Sequence, residues 1–96
     1  MFFAGLFAIY FTLRSTSPEL WEWDRAQTKA LAALLARAMR RRKPSIGKAT
    51  AERVALVAVS ASVALLDVAC LDERRGKALL EEATAMREAY LSLYLD

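Results

Sequence analysis

Residues 54–71, VALVAVSASVALLDVACL, carry a single charge, Asp67, and two hydroxyls, Ser60 and Ser62; the rest are aliphatic, small or cysteine. At 3.6 residues per turn, Val54, Val57, Ala61, Leu65 and Val68 fall on one face, and Leu56, Val59, Val63, Leu66 and Cys70 on a neighbouring one. A helix apolar over that much of its circumference has to be covered by other helices or by lipid. The pattern predicts a helix over residues 48–72 around which the other segments pack.

Two further helices follow from the same periodicity. Leu20, Trp23, Leu31, Leu34 and Ala38 make an apolar stripe, with Trp21, Leu35 and Met39 beside it, which predicts a helix over residues 19–42. Ser17-Pro18 reads as its N-cap and first residue, Glu19, Glu22 and Asp24 suit its positive end, and Pro44 stops it. Leu79, Ala83, Met86, Tyr90 and Leu93 form the stripe of a third helix over residues 78–95, with Leu80 and Tyr94 beside it and Glu81, Glu82, Arg87 and Glu88 directed outward. The segment 72–77, DERRGK, is read as the break before it, with Gly76 as hinge or C′ residue. Residues 1–13 hold five aromatics and no charge. They read as a helical segment with a small-residue stripe at Ala4, Ala8 and Thr12, although Phe3, Phe7, Ile9 and Phe11 also fit one face of a strand.

The connections are short, so successive helices lie antiparallel. The expected fold is all-α: one domain over residues 1–96, a small antiparallel helical bundle of three long helices plus the aromatic N-terminal segment. Composition agrees, with three glycines, two prolines and an abundance of alanine and leucine.

Composition narrows function mostly by exclusion. Histidine is absent and Cys70 is the single cysteine, so neither an imidazole base, a Cys/His metal site nor an internal disulfide can be assembled within the chain. Cys70, inside the apolar stretch, reads as a buried structural thiol in a reducing, cytoplasmic compartment. Ser60 and Ser62 have no neighbouring base. No catalytic residue, cofactor-binding residue or metal ligand is assigned, no cofactor is expected, and a non-enzymatic role follows. Asp67 is expected to be hydrogen-bonded or ion-paired, with Arg25 or Lys29 as partner.

Charge is polarised along the chain. Residues 37–53 hold seven basic side chains, Arg37, Arg40, Arg41, Arg42, Lys43, Lys48 and Arg53, against Glu52 alone. Such a patch complements a helix dipole, and it also suits phosphates of nucleic acid or anionic lipid. Within it, Pro44-Ser45-Ile46-Gly47-Lys48-Ala49-Thr50-Ala51-Glu52-Arg53-Val54 resembles the turn and second helix of helix-hairpin-helix DNA-binding motifs, which read P-G-I-G-K-x-T-A-E-R. The resemblance covers eleven residues and implies a phosphate-binding role for Gly47 and Lys48; Ser45 stands in place of the first glycine, and Lys43 where that family has an apolar residue.

With 56% apolar residues, a chain of 96 residues carries more apolar surface than one copy can bury. The expected function is therefore an interaction or assembly module, a homo-oligomer and most simply a dimer, with Phe3, Phe7, Tyr10, Phe11, Leu56, Val63 and Leu65 at the contact or contacting another protein partner. The alternatives are a nucleic-acid-binding protein using residues 37–53 and a small protein peripheral to a membrane, with residues 1–13 at the lipid surface.

Overall fold

The computed structural model describes Ile9, Thr12 and residues 16–96. Three long helices make up the fold: α1 (Pro18–Arg42), α2 (Lys48–Leu71) and α3 (Gly76–Leu95). Ile9, Thr12 and Thr16 are also helical, and the Thr16 hydroxyl donates to the Thr12 carbonyl at 3.2 Å. Phe3, Phe7, Tyr10 and Phe11 lie outside the described residues.

The start of α1 is fixed by Ser17, whose Oγ accepts from Leu20 N–H at 3.4 Å, while Pro18 opens the helix at a position needing no amide donor. Arg40, Arg41 and Arg42 occupy its last turn, against the negative end of the macrodipole. Lys43 N–H closes on the Met39 carbonyl at 2.9 Å, and Ile46 N–H on the Lys43 carbonyl at 3.0 Å, so the chain reverses within five residues and α2 returns along α1.

The α2–α3 reversal is tighter. Asp72 ends α2, and its carboxylate reaches forward to accept from Arg75 N–H at 3.0 Å and from Arg75 Nε at 2.7 Å. Gly76 is the first residue of α3, not a hinge or a C′ residue. Its Cα lies so close to the end of α2 that a Cβ there would stand 2.6 Å from the Ala69 carbonyl oxygen.

α2 is the middle helix. It packs against both α1 and α3, which make no comparable contact with each other. The result is a bundle measuring 44 × 31 × 14 Å, with a radius of gyration of 15.2 Å, against about 12 Å for a compact domain of this length.

The faces that meet inside are not the stripes of large residues. Nine hydrophobic side chains are buried among the described residues, and seven of them are alanine, at 32, 36, 51, 55, 58, 69 and 83; the others are Met39 and Val54. Alanine faces let two helix backbones approach closely, so α1 turns its 32/36/39 row toward α2. Leu31 and Leu34, adjacent on the sequence, stay exposed, as do Trp21 and Trp23. In α3 the departure is only partial: Leu79, Ala83 and Tyr90 of the expected stripe lie on the inner side with Arg87 and Tyr94, while Met86 and Leu93 face outward. At the closed end of the bundle, Tyr90, Leu91, Tyr94 and Leu95 pack on a cluster formed by Ala32, Ala36, Met39, Ala51, Val54 and Ala55. The Tyr90 and Tyr94 rings meet edge to face, 5.6 Å between centroids.

Candidate functional site

Because α2 lies between α1 and α3, its remaining surfaces face two different environments among the described residues. Its inner row (Ala51, Ala55, Ala58, Ser62, Ala69) is consumed by packing. Flanking that row, Val59, Val63 and Leu66 form the floor of a groove whose walls are Leu31 and Leu35 of α1 and Leu80, Ala83, Thr84 and Arg87 of α3. The groove is open to solvent along its length and offers about 560 Å³, room for a small molecule.

Its chemistry is simple. Ser62 Oγ donates to the Ala58 carbonyl at 2.7 Å and Thr84 Oγ1 to the Leu80 carbonyl at 3.0 Å, so both hydroxyl protons are spent within their own helices. The lining is otherwise aliphatic, apart from Arg87. That guanidinium is half-buried and makes no hydrogen bond or ion pair with any described residue. The sequence reading directs Arg87 outward with Glu81, Glu82 and Glu88; the structure places it one turn after buried Ala83, on the inner stripe.

The opposite sector of α2 carries Leu56, Val57, Ser60, Ala64, Val68 and Leu71, all exposed. Leu56, Val57, Val68 and Leu71 are each 45–52% accessible, a continuous apolar strip along the helix. Among the residues named from sequence for an interface, Leu56 and Val63 are a heptad apart and share one side of α2, Leu56 exposed and Val63 half-buried. Leu65, two residues from Val63, points about 200° away and is also half-buried.

The basic residues separate into distinct places. Arg37, Arg40 and Lys48, joined by Lys29, surround a recess floored by Ala32, Ala33 and Ala36, with Glu52 on its rim. Arg37, Arg40 and Arg41 also border Pro44. Arg42 is exposed, Lys43 is half-buried as the C-cap of α1, and the charge of Arg53 is felt by the Tyr90 phenol on the α3 side. Gly47, the N-cap of α2, has an ordinary φ of −69°, and a Cβ there would meet nothing closer than Thr50 Oγ1 at 3.8 Å. Lys48 beside it is exposed.

A third recess holds Asp67 and Ser60 of α2 with Trp21, Asp24 and Thr28 of α1. Arg25 stacks over Trp21, 4.7 Å from the ring centroid, and lies 3.7 Å from Glu22. Cys70 is half-buried and free. Among the described residues no cluster of His, Cys, Asp and Glu is arranged to hold a metal.

Sequence reasoning missed the groove. Its walls come from large residues taken for core, Leu31 and Leu80, and from Arg87, taken for a solvated charge. The signal for Arg87 lies in spacing: it is four residues after Ala83 and three before Tyr90, on the stripe that faces α2.

Residues 4–91 match the family model described as tetracyclin repressor-like, C-terminal domain. No curated protein and no solved structure matches the chain.

Proposed function

The chain belongs to the tetracyclin repressor-like C-terminal domain family, and from that premise we propose that it is the self-associating, effector-holding part of a cytoplasmic transcriptional regulator. Domains of this family are typically the ligand-binding and dimerisation parts of such regulators, which are generally non-enzymatic.

The observation that carries the dimer is the uncovered strip on α2. The chain exposes 6920 Å², against about 5,500 Å² for a compact monomer of its mass. The excess is about 1,400 Å² for one chain, more than the roughly 800 Å² that a standard interface takes from each partner. A second copy laid on Leu56, Val57, Ala64, Val68 and Leu71 buries an apolar strip with small residues at its middle, where two helices come close. The N-terminal residues Phe3, Phe7, Tyr10 and Phe11 extend this contact in the proposal, and Val63 and Leu65 support it from beneath.

Sedimentation of the chain at micromolar concentration in detergent-free buffer tests it. A dimer is expected, and Val68→Asp should give a monomer that keeps its helical circular dichroism. A wild-type monomer at that concentration would remove the reading. Partition into liposomes would instead favour a lipid surface as the cover, because α2 is long and apolar enough to cross a bilayer, with a mean hydropathy of 2.4 over its best window.

A second reading has one specific observation behind it. Lys29, Arg37, Arg40 and Lys48 share a recess, and none of them is paired with a described acid. If that recess meets nucleic-acid phosphates, binding weakens steeply with salt and is lost on replacing Arg37 and Arg40 with alanine. An absence of gel retardation at low salt dismisses it.

A further inference from the structure

We propose that the groove between α1 and α3 takes an apolar carboxylic acid, its carboxylate on the Arg87 guanidinium and its hydrocarbon against Leu31, Leu35, Val59, Leu66 and Leu80. This rests on the effector-holding reading above and names the class of ligand. A guanidinium keeps its charge at any ordinary pH, and holding it half-buried among aliphatic walls without a counter-ion is unfavourable. The local sequence supplies no acid to answer it: the residues three and four away on α3 are Ala83, Thr84, Tyr90 and Leu91, and no Asp or Glu lines the groove. A ligand carboxylate satisfies the guanidinium fork with two parallel hydrogen bonds.

The rest of the lining excludes other classes. Ser62 and Thr84 have already donated their protons to backbone carbonyls, so the groove has no hydroxyl donors free to recognise a sugar or polyol. One cation does not balance a polyphosphate. A cationic ligand would meet Arg87 itself. What fits is a single negative charge on an aliphatic or aromatic body, within about 560 Å³.

Calorimetric titration of the full chain with octanoate and with octanol tests this, alongside Arg87→Met. Octanoate is expected to bind, and Arg87→Met to weaken it about ten- to a hundredfold while leaving octanol unchanged. Because Arg87→Met could disturb packing, the same titration is followed on ¹⁵N-labelled wild-type protein. The Arg87 Nε–H resonance, identified by its absence in Arg87→Lys, should move with octanoate and not with octanol. Equal binding of both ligands, indifferent to Arg87, overturns the carboxylate and leaves the effector-holding reading standing. Binding of neither ligand, with the dimer intact, overturns both the ligand class and the effector role. Octanoate affinity that falls as protein concentration rises identifies a second copy as the groove's occupant and overturns the proposal.

Discussion

A methyl group at position 76 has nowhere to go. The atom it would strike is the Ala69 carbonyl oxygen, which cannot rotate aside as a side chain can. Gly76→Ala must therefore push α3 away from the end of α2. A loss of about 1–3 kcal/mol is expected by analogy with overpacked cores, read as a lower urea midpoint at unchanged m-value. Gly47→Ala, with open space around it, is the matched control and should leave the midpoint nearly where it was. Among the described residues, two titratable groups contribute a pH dependence to stability. The Arg75 backbone N–H, then the Arg75 side chain, hold the Asp72 carboxyl below its ordinary 3.8. Its folded pKa is the lower one, so the stabilisation is present above pH 3.8 and is lost as pH falls through the folded value. Burial, then Tyr94, push the Tyr90 phenol above its ordinary 10.0. Here the folded state holds the proton more tightly, so stability is full below pH 10.0 and declines as pH rises toward the folded value. Thermal melts across both ranges should show the two slopes, with Asp72→Ala removing the acidic one and Tyr90→Phe flattening the alkaline one.

At the scale of the element, an alanine-lined contact makes the inside of each helix sensitive to size and the outside indifferent to it. Ala55 has no exposed surface, so Ala55→Leu should force α1 and α2 apart and cost about 1–3 kcal/mol. Leu34 is 56% exposed, and Leu34→Ala should change chemical stability by within about 0.5 kcal/mol, as surface substitutions do. The reverse ranking would mean that the stripe of large residues is the packed one. This contrast also explains what could be read from the chain beforehand. Ser17, Pro18 and Pro44 mark the bounds of α1 through local chemistry, and the short connections impose antiparallel neighbours, so an all-α bundle was legible. Facing was not. In α1 the rows 31/34/38 and 32/35/36/39 both follow helical spacing, and periodicity favours the row of larger side chains. Only the tertiary partner decides between them, and here the alanine row is the one that is buried. The groove was illegible for the same reason, since Leu31, Leu80 and Arg87 acquire their meaning from a neighbour that the spacing of residues does not identify.

For the whole molecule, a thin core of alanines implies that one copy folds with little to spare. Small side chains contribute little burial apiece, while thirteen large hydrophobic residues remain exposed among those described. If a second copy supplies the missing cover, the melting temperature should climb as protein concentration rises, because association stabilises by mass action. A melting temperature constant across a hundredfold dilution would speak for a self-sufficient monomer. The placement of α2 has a mechanical corollary. One helix serves as floor to the groove and as backing to the apolar strip, with no intervening layer to absorb a displacement. Any molecule that wedges the groove wider must tilt or roll that shared partition, and whatever rests against its reverse side would feel the movement at once, as a hand pressed on one side of a drumskin is felt on the other.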